Sequence, residues 1–263
     1  MLSVHELVWH LIFALPPRFW LEVTWLGDFG LLLPAALLIG LWLLVSRRTR
    51  GTAWLWASLF GAASALVAAS KLAFLGWGIG SARLDFTGIS GHTMLAASVW
   101  PVALWLVAAR AGHRWRVAAA VLGWLLSGVV GLSRLALYAH SASEVVSGLL
   151  LGMAASAAFL ALQRRRPHPL PRASLVLLTL LVPLAVHPPG HAAPMQGLLE
   201  RIAMRMAGVQ RPFTREDLHR LDAQAAGPVS RPDTAGAASR VPSIRMMRLQ
   251  PVAGHHAPLE RTC

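Results

Sequence analysis

Two histidines and a glutamate offer this sequence its chemistry. His140 and Glu144 stand four residues apart, so on a helix they share a face, and the carboxylate can hold one imidazole nitrogen while leaving the other free to attack. His92, in the run Ser90-Gly91-His92, is suited to protonate a leaving oxygen. Lys71, Arg83 and Arg134 supply cations, with Asp85 and Glu144 as the acids beside them. That balance suits a phosphate carrying close to two negative charges. Gly91, just before an apolar run, lets backbone N–H groups approach phosphate oxygens at a helix N-terminus, where the dipole also favours an anion. Ser90 adds a hydroxyl donor. Lys71 is the single lysine of a chain that otherwise uses arginine and has no asparagine.

Each of these residues stands at the end of a long apolar run, and the runs decide the class. With 263 residues, 56% hydrophobic content, mean hydropathy +0.55 and 13% charged residues, the chain is too apolar for an ordinary soluble domain. It reads as an all-α, polytopic transmembrane helical bundle of about six spans. The runs cover roughly 29 to 45, 53 to 76, 94 to 109, 117 to 132, 145 to 162 and 173 to 186. Several are shorter than about 20 residues, so their helices must extend into the flanking polar residues to span a bilayer. Small residues such as Gly61, Ala62, Ala63, Gly148, Gly152, Ala154 and Ala155 suit close helix packing in lipid. A formal charge of +13 would suggest nucleic acid in a soluble protein. Here much of it falls in short clusters between apolar runs, as membrane orientation requires, and no nucleic-acid partner is expected. Cys263 is alone, which excludes an intrachain disulfide. Residues 4 to 15 lack a basic n-region and carry His5, Glu6 and His10, unlike a cleaved signal peptide.

Four parts are expected: an N-terminal interfacial helix or short first span over 1–28, broken by Pro16-Pro17 and rich in tryptophan; a transmembrane domain over 29–187; an amphipathic segment over 188–222; and a basic, disordered tail over 223–263. The amphipathic segment sets Leu198, Leu199, Ile202 and Met206 beside Arg201 and Arg205, as in an interfacial helix. Arg47, Arg48 and Arg50 follow the first run, Arg110, Arg114 and Arg116 the third, and Arg164, Arg165, Arg166 and Arg172 the fifth. Those loops are expected to be cytoplasmic. By parity, the ends carrying Lys71, Arg83, Ser90 to His92 and Arg134 to Glu144 then share the outer face.

The run Lys71 … Ser90-Gly91-His92 … Ser133-Arg134-x5-His140-x3-Glu144 resembles the three-part signature of the type 2 phosphatidic acid phosphatase (PAP2) superfamily, K-x6-R-P, P-S-G-H and S-R-x5-H-x3-D, and the surrounding hydropathy resembles its membrane branch. The resemblance implies a PAP2-like bundle in which His140 is the nucleophile that becomes phosphorylated, His92 the acid and Glu144 the orienting group. Lys71, Ser90, Gly91 and Arg134 are then phosphate ligands, with no metal and no cofactor. The sequence departs from the pattern at three points. Gly78 stands where the first part has arginine, with Arg83 the nearest candidate; Ile89 replaces a proline; Glu144 replaces an aspartate.

Taken singly, each feature has a plainer explanation: a lysine near a helix end snorkels to the interface, Arg83 is a solvated loop residue, and the tryptophans are interface anchors and packing. Their co-occurrence at one predicted face is what points to an enzyme. The expectation is a membrane phosphatase acting on a lipid phosphomonoester or diphosphate (phosphatidate, phosphatidylglycerophosphate, a prenyl diphosphate or a lipid A phosphate). Its place would be a bacterial inner membrane, with the site facing the periplasm or exterior. The alternative is a non-catalytic binder or transporter of phosphorylated lipid or sugar, which would use the same cations but has no evident use for an oriented nucleophile.

Overall fold

The computed structural model describes residues 14–164 and 195–225, together with Leu178 and Leu181. Most of the apolar run at 173 to 186, and the tail beyond Ala225, lie outside the described residues. The chain forms α1 (Pro17–Trp25), α2 (Phe29–Val45), α3 (Arg50–Trp77) and α4 (Gly91–Val107), the last continued by a 3-10 turn over Ala108–Arg110. It goes on through α5 (His113–Ala136), α6 (Ala142–Gln163), α7 (Met195–Ala207) and α8 (Arg215–Ala225). Among the described residues there is no strand, only an isolated bridge between Ser81 and Phe86 in the α3–α4 loop. The fold is an all-α polytopic bundle. Among the described residues, five stretches are long and apolar enough to cross a membrane: Pro17–Val45, Arg50–Trp77, Gly91–Arg110, His113–Ala136 and Ala142–Gln163. The first of them joins α1 to the first apolar run.

Helix ends extend past the apolar runs, and this extension brings His92, Arg134 and Glu144 inside helices, as Lys71 already is near the end of α3. Local chemistry sets where each helix stops and starts. Asp28 caps α2 by accepting from Gly30 N at 2.7 Å. Gly78 ends α3 in the left-handed region (φ 68), with its own N–H and that of Ile79 returning to Phe74 O and Ala73 O. Ser141 and Glu144 form a reciprocal capping box at the start of α6.

Helix α4 is the centre of the bundle. Its span is 78% buried, against 33–39% for the other four, so those four wrap it and give their outer faces to lipid. Leu37, Leu41, Leu66, Leu122, Leu125 and Leu150 are accordingly exposed. Two glycines let α6 press on α4: a Cβ at Gly148 would sit 2.5 Å from Ser90 O, and one at Gly152 would sit 2.4 Å from Met94 O. Inward-facing tryptophans bond across the bundle, buried Trp56 to Ala36 O, buried Trp100 to Leu26 O and half-buried Trp124 to Ser156 Oγ, while Trp54, Trp77 and Trp115 are exposed.

α7 meets the bundle on one side and leaves its other side open. Its Leu199–Ala203 face packs on the end of α3 in a small cluster with Phe74, Leu75 and Leu218. Leu198, Ile202 and Met206 stay exposed, as do Arg201 and Arg205.

Candidate active site

The up-and-down course of the bundle sets the end of α3, the α3–α4 loop, the start of α4, the end of α5 and the start of α6 at one end of the molecule. Arg47, Arg48 and Arg50, Arg110 and Arg114, and Arg164 fall at the α2–α3, α4–α5 and α6 ends opposite.

Glu144 is the hub of the site. Its carboxylate is fully buried and accepts from four directions. On Oε1 it takes Thr87 N at 2.7 Å and Thr87 Oγ1 at 2.6 Å. On Oε2 it takes His140 Nδ1 at 2.6 Å and Ser141 N at 3.2 Å. Arg215 Nη2, from the first turn of α8, lies 3.0 Å from both oxygens. With Nδ1 held by an ionised carboxylate, Nε2 of His140 is the nitrogen left with a lone pair. Burial, with the charges of Lys71 and Arg134, pushes the His140 imidazole below its ordinary 6.5, against the opposing pull of Glu144. His140 therefore favours the neutral form a nucleophile needs.

His92, the second residue of α4, lies within electrostatic reach of both His140 and Arg134. Its Nε2 faces Asp28 Oδ2 at 3.5 Å. Gly27 permits this approach, since a side chain there would meet the His92 backbone. Arg134 bonds Thr24 Oγ1 through Nη1 at 2.9 Å, while its buried Nε has no partner among the described residues. Lys71 interacts through space with Glu144 and Arg134. It sits under the loop, where Ser70 Oγ accepts from Ile89 N at 3.1 Å and Gly88, at φ 145, lies directly on the Lys71 backbone. Ser90 is fully buried, its N–H on Glu144 O at 3.1 Å and its hydroxyl on Thr93 Oγ1 at 2.9 Å. It makes no side-chain cap, so the first amides of α4, from Gly91 on, are left for an anion at the dipole's positive end.

The structure thus gathers Lys71, Ser90, Gly91, His92, Arg134, His140 and Glu144. Arg83 is not among them: it is exposed on the α3–α4 loop and enters none of the site's bonds among the described residues. Nor could position 78 carry an arginine, because its backbone is left-handed and a Cβ there would lie 2.8 Å from the Phe213 ring. Asp28, Thr24, Thr87 and Arg215 are additions that the sequence analysis did not single out. Asp28 had a signal, an acid at the outer end of the first apolar run. Arg215 had none, lying 71 residues from its partner. Among the described residues no three of His, Cys, Asp and Glu are grouped to hold a metal ion.

Two histidines, a buried carboxylate and flanking cations at one end of a membrane-spanning bundle define an integral membrane protein of phosphatase type. Comparison with known proteins agrees: a model of the PAP2 superfamily matches residues 80–168. The chain belongs to the PAP2 superfamily. It is also 46% identical over 207 residues to a Klebsiella pneumoniae protein described as an uncharacterized 22.5 kDa protein in the cps region, an alignment covering 76% of this chain and 98% of that protein. No solved structure matches it.

Proposed function

We propose that the protein hydrolyses a lipid phosphomonoester or diphosphate through a phosphohistidine on His140. The observation that carries this is the 2.6 Å bond between His140 Nδ1 and a fully buried Glu144, with Lys71 and Arg134 within charge range. Lys71, Arg134 and the α4 amides hold the phosphate; His140 Nε2 attacks phosphorus as the P–O bond to the lipid breaks; His92 gives the leaving oxygen a proton. Water then attacks the phosphohistidine, His92 takes its proton, the P–N bond breaks and inorganic phosphate leaves. No metal or cofactor enters these steps.

A lipid substrate is supported by the rim, where Trp77, Ile79, Leu84 and Tyr138 are all exposed. Apolar groups beside an anion site suit a headgroup whose chains remain in the bilayer. With the arginine-rich loops cytoplasmic, the site takes its substrate from the outer leaflet of a bacterial inner membrane.

The test is phosphate release by purified protein in detergent, with EDTA present, from phosphatidate, phosphatidylglycerophosphate, a prenyl diphosphate and a lipid A phosphate. At least one is expected to be turned over, with ³²P retained on acid-labile histidine and lost in His140→Ala. Dependence on added Mg²⁺, or full activity in His140→Ala, would overturn the mechanism and shift weight to a binder or transporter.

A further inference from the structure

The bonds around Glu144 include one from far down the chain, and it comes from a segment built to deliver it. Thr214 and Asp217 cap α8 reciprocally, Asp217 N on Thr214 Oγ1 at 3.2 Å and Thr214 N on Asp217 Oδ2 at 3.1 Å. Arg211 holds the same carboxylate through both terminal nitrogens, at 2.6 and 3.0 Å. Phe213 fills the space over Gly78 and bonds Leu75 O at 2.9 Å. These contacts fix Arg215 in the first turn of α8, with its side chain aimed between two acids. Nη1 bonds the side chain of Asp85 and, at 3.0 Å, its carbonyl; Nη2 bonds both oxygens of Glu144. His219, one turn on, adds a second tie to Asp85 at 2.8 Å. Asp85 itself has a positive φ of 49, a conformation an aspartate adopts where local bonds hold it.

Chemically, Glu144 sits between two cations or proto-cations. His140 draws on one oxygen, Arg215 on both, and Thr87 and Ser141 hold the carboxylate plane. A buried carboxylate with only an imidazole for company can take the imidazole's proton or swing away from it. A guanidinium on its far side keeps it ionised and stationary, and thereby keeps the Nδ1 proton on His140 and Nε2 unprotonated. Arg215 lies outside residues 80–168, where the family model matches.

We infer that Arg215 is a positioning residue for His140, acting through Glu144, so that the C-terminal pair of helices completes the site. This rests on the phosphohistidine reading above.

The experiment uses the full-length protein in detergent, with p-nitrophenyl phosphate and micellar phosphatidate as probes. Arg215→Gln should lower kcat about 10- to 100-fold, by analogy with the loss of an outer partner that orients a metal-ligating side chain, with KM nearly unchanged. It should also move the acid limb of kcat/KM to higher pH, because losing this cation makes protonation near Glu144 easier. In a Glu144→Gln background the same change should add less than about twofold, since residues acting as a unit are not additive. Arg215→Lys, which keeps the charge, should hold the wild-type limb. His219→Ala, which removes only the second tie to Asp85, should be close to wild type. Full activity in Arg215→Gln, a loss that appears wholly in KM, a loss that multiplies with Glu144→Gln, or an equal loss in His219→Ala would overturn the inference. Should Arg215→Gln fail to fold, a shifted limb in Arg215→Lys would overturn it alone. A wild-type protein that releases no phosphate, or one indifferent to His140→Ala, would instead mark the failure of the underlying reading.

Discussion

Replacing Glu144 by glutamine separates the carboxylate's charge from its shape. The oxygens accept six bonds: two from Thr87, one each from His140 and Ser141, and two from Arg215. Glutamine has one acceptor oxygen, so its NH₂ must face one side. Turned toward His140, the amide donates to Nδ1 and drives the imidazole proton onto Nε2, the atom that has to attack. A wrong tautomer of this kind is worth about 10⁴ in turnover. Turned toward Thr87, the amide leaves the Thr87 N–H without an acceptor, at about 1–3 kcal/mol, and the bond to His140 loses the charge that roughly doubles its strength. The tautomer survives there, but the imidazolium character that develops during attack is no longer stabilised, and the loss is closer to 10². Glu144→Gln should therefore fall by roughly 10²- to 10⁴-fold in kcat, with KM little changed and the protein still folded. Phosphate release measured beside the thermal unfolding midpoint checks both halves. Unaltered kcat in a folded variant would refute the orienting role and with it the assignment of His140 as nucleophile.

Four more outcomes follow from the same geometry. His92→Ala should block turnover of lipid phosphates, whose alkoxide leaving group needs a proton, yet spare part of the rate on p-nitrophenyl phosphate; equal loss on both substrates would remove His92 as the acid. Asp28→Asn should lower the lipid-phosphate rate by more than the aryl-phosphate rate, because Asp28 faces His92 at 3.5 Å; the ratio of the two rates is the measurement. Because burial and neighbouring cations depress the His140 pKa, and the neutral ring is the nucleophile, the acid limb of kcat/KM should lie below pH 6.5; Lys71→Met, which removes one of those cations, should raise it. With Cys263 replaced by serine, a cysteine at exposed position 84 should label from the outer side of right-side-out vesicles, and labelling from the cytoplasmic side alone would invert the proposed orientation.

The spacing of His140 and Glu144 was legible because a helix repeats every 3.6 residues, and the pair lies across the start of one. The convergence of Lys71, His92 and Arg134 was legible through parity: apolar runs of bilayer length must alternate direction, so alternate ends meet. Helix limits were less so, since hydropathy marks only the lipid-facing stretch, while caps such as Asp28, Ser141 and Gly78 decide where the backbone turns. The departure at Gly78 looked like a lost arginine, and sequence proximity suggested Arg83. The structure gives the physical reason that position cannot carry one, a left-handed helix end beneath Phe213. Arg215 escaped notice because a contact across 71 residues leaves no period. Which side of α7 meets α3 was not legible either, because it depends on where Gly76 and Ala203 let the two helices come close.

The two imidazoles are held unequally, and on the proposed mechanism that inequality divides the labour. His140 is bound at 2.6 Å to a carboxylate that four other donor groups hold rigid, so its ring has one orientation and one tautomer, as an in-line attack requires. His92 faces Asp28 at 3.5 Å, and Asp28 spends its other oxygen capping α2. That looser partner can stabilise a protonated ring without fixing it, which suits a group that must give a proton to the leaving oxygen and recover one from water. A nucleophile tied to a rigid hub and an acid tied to a helix cap let two chemically identical side chains do opposite work at one pH. The fold supplies the distinction through helix ends: Glu144 is the N3 residue of one capping box, Asp28 the N-cap of another helix, and each carboxylate is positioned by backbone geometry before any substrate arrives.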